Sequence, residues 1–175
     1  MHYVYHGVPP ELLGTKLLPL NLLEKESHDL YEEKRSKYKG REEVSQRNIP
    51  ELGCTWADVV QLLPLQPQKV FEAQRDMNAI TELPDYKYFK IPLSQLDPKR
   101  TFVFFKTAPG EKYSHILPID QVDFDSIQEV PPSTLVYYYM SAEAKTPVFN
   151  YQFIPHVLYR GEIDISEAEV IALST

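Results

Sequence analysis

The chain has 175 residues, a net charge of −7 at neutral pH, 43% hydrophobic and 25% charged residues, which suits one domain with a full core and leaves too little for two. The acidic balance argues against a generic nucleic-acid binder, which presents a basic face, and a single cysteine, Cys54, excludes an intrachain disulfide and a thiolate metal cluster. No stretch approaches the roughly 20 apolar residues of a membrane-spanning helix, and no basic region followed by an apolar run marks a signal peptide, so a cytoplasmic location is expected.

The first element is Tyr3-Val-Tyr-His-Gly7, a short strand of alternating character that delivers His6 onto a glycine. Val8 to Gly14 reads as a short helix with prolines at its start and a glycine stop, and Thr15 to Leu20 as a second strand. Asn21 to Asn48 is the most helical region. Leu22, Leu23, Leu30, Tyr31, Tyr38 and Val44 form its interrupted apolar stripe, with Ser27 as N-cap and Asp29 in the first turn. The charges from Glu32 to Glu43, including the favourably ordered pair Glu33 and Lys37, read as a solvated face. Gly40 bends the segment and Ile49-Pro50 ends it.

Val59 to Leu63 is β-rich and bounded by Pro64, hence a strand. Pro67 to Met77 is a helix with Pro67 in its first turn and Val70, Phe71, Gln74 and Met77 on one face. Tyr86 to Ile91 alternates as a strand, Leu93 to Leu96 bends, and Thr101-Phe-Val-Phe-Phe-Lys106 is apolar on both faces and therefore a central strand. Ala108 to Lys112 is a loop turning at Pro109-Gly110, and Val122 to Ile127 is short and ambiguous. Pro131 to Ala144 reads as a helix capped by Ser133. Tyr151 to Ile154, Val157 to Arg160 and Ile163 to Leu173 read as β-structure around the turns at Pro155 and Gly161. Fifteen prolines fit short elements joined by turns. The expectation is one domain over residues 1–175, α+β, with short helices on a mixed, mostly antiparallel sheet.

The five histidines include no helical i, i+4 pair and no H-E-x-x-H. His2 and His6 could share a strand face, but two histidines without a positioned carboxylate make a weak metal site, and no metal is expected. Phosphate-loop motifs are absent. Cys54, just before an apolar strand, reads as a small core residue. Glu162, Asp164, Glu167 and Glu169 alternate with Ile163 and Ile165, as on the wet face of a terminal strand. His6-Gly7 has two readings. It is a strand-end histidine beside a turn glycine, or an imidazole that hydrogen-bonds a ligand's hydroxyls beside a glycine that admits the ligand to the backbone. Arg160 and Lys106 are candidate phosphate donors. Trp56 and Tyr137-Tyr-Tyr139 are candidate stacking groups, with core packing as the plainer role.

Tyr5-His6-Gly7 at the end of a first strand resembles the ADP-ribosyltransferase fold of the diphtheria-toxin and poly(ADP-ribose) polymerase type. The block order that follows, from Val59 to Met77, through Tyr88 to Leu96 and Thr101 to Thr107, to Pro155–Arg160 and Val170–Leu173, is similar to the DarT-type DNA ADP-ribosyltransferases. The resemblance implies NAD as ligand, with His6 on the nicotinamide-side ribose and Gly7 on the carboxamide, and Tyr5 beside them. It also implies a glutamate opening the penultimate strand, where this chain has His156. Glu162 is the nearest carboxylate, six residues on. That glutamate orients the ribose and stabilises a cationic transition state; a histidine, neutral or positive near pH 7, acts differently. The function implied is NAD or nucleotide binding, with ADP-ribose transfer to a macromolecular acceptor if another acid substitutes. The alternative is a non-enzymatic binding or interaction module.

Overall fold

The computed structural model describes residues 1–36, 39–40, 42–106 and 114–174. The N-terminal third contains β1 (Tyr3–Gly7), β2 (Lys16–Leu17), α1 (Leu20–Glu26), α2 (His28–Ser36), α3 (Glu42–Ser45), β3 (Asn48–Ile49) and β4 (Cys54–Thr55). The middle contains β5 (Val59–Leu62), α4 (Pro67–Asp76), β6 (Lys87–Pro92), β7 (Thr101–Phe105) and β8 (His115–Pro118). The chain ends with α5 (Pro132–Ala144), β9 (His156–Arg160), β10 (Ile163–Asp164) and β11 (Glu169–Ala172). The class is α+β, and every strand pairing among the described residues is antiparallel.

Two sheets carry the fold. One has the order β1-β6-β11 and the other β5-β9-β7-β8. Among the described residues one main-chain bridge joins them, where Tyr5 and Leu63 exchange hydrogen bonds of 2.9 and 2.8 Å. Alternation along the strands then fills two cores. Val4, Phe89 and Ile91 join Leu62, Val103 and Val157 in the first core. Tyr5 and Tyr88, one residue out of phase, join Leu63, Leu65, Phe71, Tyr138 and Ile154 in the second, under α4 and α5. A third cluster seats Trp56 edge-on against Phe104, beside Ile49 and Leu158. Burying a side chain such as Phe71 or Leu158 contributes about 1.5–3 kcal/mol each.

Several local expectations hold for physical reasons. Pro67 opens α4, where its missing N–H costs nothing. β7 is internal, flanked by β9 and β8, as its apolar faces require. Ser27 separates α1 from α2, and its carbonyl accepts the Tyr31 N–H at 3.0 Å. Gly40 lies in a turn.

Others are corrected. Residues 8–14 form bends and a turn, not a helix. Pro9-Pro10 is followed by only three residues before Gly14, which takes a left-handed φ of +65°, too short a run to nucleate helix. The second strand shrinks to Lys16–Leu17 because its partner, Ile163–Asp164, is equally short. Ser133 lies inside α5; the N-cap position belongs to Pro131, which offers no side-chain cap. Tyr151 to Phe153 is a turn, not a strand, with Phe153 at φ +63°. The Tyr137 ring edge and the Lys106 ammonium over its ring face offset that unfavourable backbone. Lys37, Tyr38 and the loop from Ala108 to Lys112 lie outside the described residues. Among the described residues, no helix is long and apolar enough to cross a membrane.

Candidate functional site

The Tyr5–Leu63 bridge sets β1 beside β5, whose neighbour in its own sheet is β9. Tyr5 meets Leu63 just past the end of β5, and Leu62 faces Val157. His6 follows Tyr5 and His156 precedes Val157, so the two imidazoles come from strands about two ladder spacings, roughly 10 Å, apart. A cavity of about 730 Å³ lies beside the Tyr5–Leu63 bridge, lined by both histidines. Its walls include Tyr5, Gly7 and Val8 of the first strand and its turn, Val60 to Leu62 on β5 with Leu63 just after it, and Tyr88 and Tyr151. Leu18 to Leu20, Lys34 and Trp56 form the helical side. The volume falls in the usual range for small-molecule sites, about 300–1,000 Å³.

His6 is half-buried, and its Nδ1–H donates to the Gly7 carbonyl at 2.7 Å. Gly7 pairs with Tyr88 across β1 and β6. A Cβ there would meet the Tyr88 ring at 3.8 Å, an ordinary contact, so the fold itself does not demand glycine. What glycine does is leave the cavity wall beside His6 bare. Tyr5 supplies wall at the bridge, but its ring belongs to the second core, and burial raises its phenol pKa.

His156 opens β9. Its Nδ1–H donates to the Ile154 carbonyl at 2.9 Å, and its ring meets Tyr151 edge-on at 6.3 Å. Desolvation, reinforced by the nearby Lys106 charge, pulls its pKa down to about 4 against the opposing Ile154 bond. The ring is therefore neutral at pH 7, with the proton on Nδ1 and Nε2 a lone-pair acceptor. Behind it the Tyr88 and Tyr151 hydroxyls hydrogen-bond at 2.8 Å. Burial raises both phenol pKa values, so this inner wall carries hydrogen-bonding groups without formal charge.

The wall on the helical side is pinned by Asp58. Its carboxylate accepts from Thr55 N–H and Oγ1, each at 2.8 Å, and from Asn21 Nδ2 of α1 at 2.6 Å. Burial alone would raise its pKa, but these bonds and the Arg160 charge outweigh it and lower the value.

The sequence-derived candidates thus divide. His6, Gly7, Tyr5 and His156 share one cavity. Glu162 and Arg160 do not line it. Glu162 follows the turn at Gly161 and is held outward by Lys16 at 2.6 Å; Arg160 is exposed and donates to the Leu52 carbonyl at 2.7 Å. Lys106 donates to Gln152 beside the His156 wall. Trp56 lines the cavity, whereas Tyr138 is fully buried in the second core. His2 is engaged by Asp125 at 3.0 Å, away from His6.

Lining residues that were not candidates from the sequence include Lys34, Asp85, Lys87, Tyr88 and Tyr151. Lys34 has a signal, since it lies four residues after Leu30, the buried residue of α2, and so on the inward face. Lys87 and Asp85 have only their place beside a strand start. Comparison with known proteins found no matching family model, no matching curated protein and no matching solved structure.

Proposed function

We propose that the cavity between β1 and β9 is a binding site for NAD or a related nucleotide, and that it binds without transferring ADP-ribose. The observation that carries this reading is the meeting of His6-Gly7 and His156 in one cavity although 150 residues separate the histidines in the chain. His6 offers an imidazole whose Nδ1 is already anchored, so its ring orientation is set for a ligand hydroxyl. His156 Nε2 accepts a second hydroxyl. Tyr88, Tyr151 and Trp56 supply aromatic wall for a planar ring.

Binding is favoured over transfer because of what stands at the start of β9. Cleavage of a ribosyl bond builds positive charge on the sugar, and a carboxylate there stabilises it. A neutral imidazole supplies a dipole in place of a full negative charge. Asp85 is the one carboxylate among the described lining residues, and it is exposed, away from the inner wall.

Thermal unfolding with NAD and with ADP-ribose, alongside an assay of released nicotinamide, tests this reading. A ligand-dependent rise in Tm without nicotinamide release is expected. Release that disappears in Asp85→Asn would instead favour an enzyme, and no shift with any nucleotide would end the nucleotide reading.

A further inference from the structure

Helix α5 has one buried face and one apolar face left in water. Thr134, Tyr138 and Ser141 point inward and are buried. Pro132, Val136, Tyr139, Met140 and Glu143, spaced three or four apart, share the opposite face. On it Val136 is 61% exposed, Tyr139 52% and Met140 58%. Phe149, 66% exposed, is tied to the helix by its N–H, which donates to the Tyr137 hydroxyl at 2.9 Å. A row of large apolar side chains in water marks a surface that another molecule covers. The charge of α5 also runs against its own dipole. Glu143, its one charged residue, lies in the last turn, at the partly negative end, with no basic residue there. Among the described residues no cation pairs with Glu143. The first turn, at the partly positive end, holds no acidic residue, and Pro131 gives it no side-chain cap.

We infer that this face of α5 is the contact between two copies of the chain, packed antiparallel about a two-fold axis near Tyr139. In that arrangement Val136 of each copy packs on Met140 of the other, and Glu143 of each reaches the first turn of the other helix, near Ser133. The second copy thus supplies the acid that the positive end of α5 lacks. The two Glu143 carboxylates stand about 15 Å apart along the seam, beyond the screening length of about 8 Å at physiological salt. A parallel pairing would set Glu143 against Glu143. The match of the helix's own two ends favours a second copy over an unrelated chain. Each copy carries a net charge of −7, so a face with one charged residue is where two copies approach at low electrostatic cost.

Sedimentation equilibrium of the full chain tests the contact. The weight-average mass is expected to rise from 20.3 kDa toward twice that value over about 10–300 μM. Val136→Glu and Met140→Glu, with folding checked by circular dichroism, are each expected to weaken association about tenfold or more. Val170→Glu, exposed on β11, is expected to change nothing. Glu143→Gln is expected to weaken association about threefold, because the acid at the opposite helix end is lost. A wild type that stays monomeric throughout the range would overturn the proposal and leave the face to a different molecule. Association that persists unchanged in folded Met140→Glu, or that is lost in Val170→Glu, would overturn it as well. Tighter association in Glu143→Gln would overturn the antiparallel arrangement, since only like charges set face to face gain from that change.

Discussion

Tyr5 and Leu63 exchange a pair of main-chain hydrogen bonds, 2.9 and 2.8 Å long, and are the joint between the two sheets. Everything proposed for the site depends on this joint. It fixes the end of β1 against the end of β5, whose other neighbour is β9. Tyr5 and Leu63 themselves line the cavity that His6 and His156 share.

Acid should destabilise the protein through His156. Its folded pKa, about 4, is below the ordinary 6.5, so between those values the unfolded chain binds the proton and the folded chain does not. Stability therefore falls as pH drops through that window, by up to about 3 kcal/mol. Urea unfolding from pH 7 to pH 4 should show a decline that is shallower in His156→Gln. Equal slopes would show that His156 titrates normally.

The Asp58 network anchors the helical wall of the cavity. Asp58→Ala removes the acceptor for three hydrogen bonds and should cost about 1–2 kcal/mol, by analogy with loss of a capping residue. Because α1 loses its tether, nucleotide affinity should fall as well. A variant as stable as the wild type in urea would count against the network.

Gly161 ends β9 with a φ of +116°, and a Cβ there would sit 1.9 Å from Arg100 Nη2. Gly161→Ala must strain the backbone and displace a guanidinium that stacks over Tyr159 at 5.3 Å. A loss of about 1–3 kcal/mol is expected, readable as a lower urea midpoint. An unchanged midpoint would mean that the β9–β10 turn adjusts freely.

A carboxylate at position 156 should change the chemistry. His156→Glu places an acid at the start of β9, and nicotinamide release from NAD should rise above the wild-type level. The buried acid should also lower Tm. A folded variant that binds NAD and releases no nicotinamide would show that position 156 is not where the charge is needed.

The parts of this fold legible in the sequence were those whose local signals and tertiary partners agree. Val59–Leu62, Pro67–Asp76 and Thr101–Phe105 carry long apolar runs or a well-placed proline. Residues 8–14 looked helical because Glu-Leu-Leu-Gly imitates a helix end, yet Leu12 and Leu13 are exposed with no face to pack. Tyr151 to Ile154 looked extended because its residues suit strands, but among the described residues the segment pairs with no strand, and it turns to bring Tyr151 to Tyr88. The site was half legible. His6 and His156 could be paired by the resemblance, whereas Glu162 was tied to them only by nearness in sequence. The turn at Gly161 sends Glu162 to Lys16 instead. Tyr88, Asp85 and Lys87 lie at or just before the start of β6, which only sheet pairing brings beside Gly7.

The most direct test of the nucleotide site is calorimetric titration of NAD into the wild type, His6→Ala and His6→Gln, with folding checked by circular dichroism. Measurable binding by the wild type and a loss of about tenfold or more in both folded variants is the expected result. Equal NAD affinity in all three, or none in the wild type, would contradict the account.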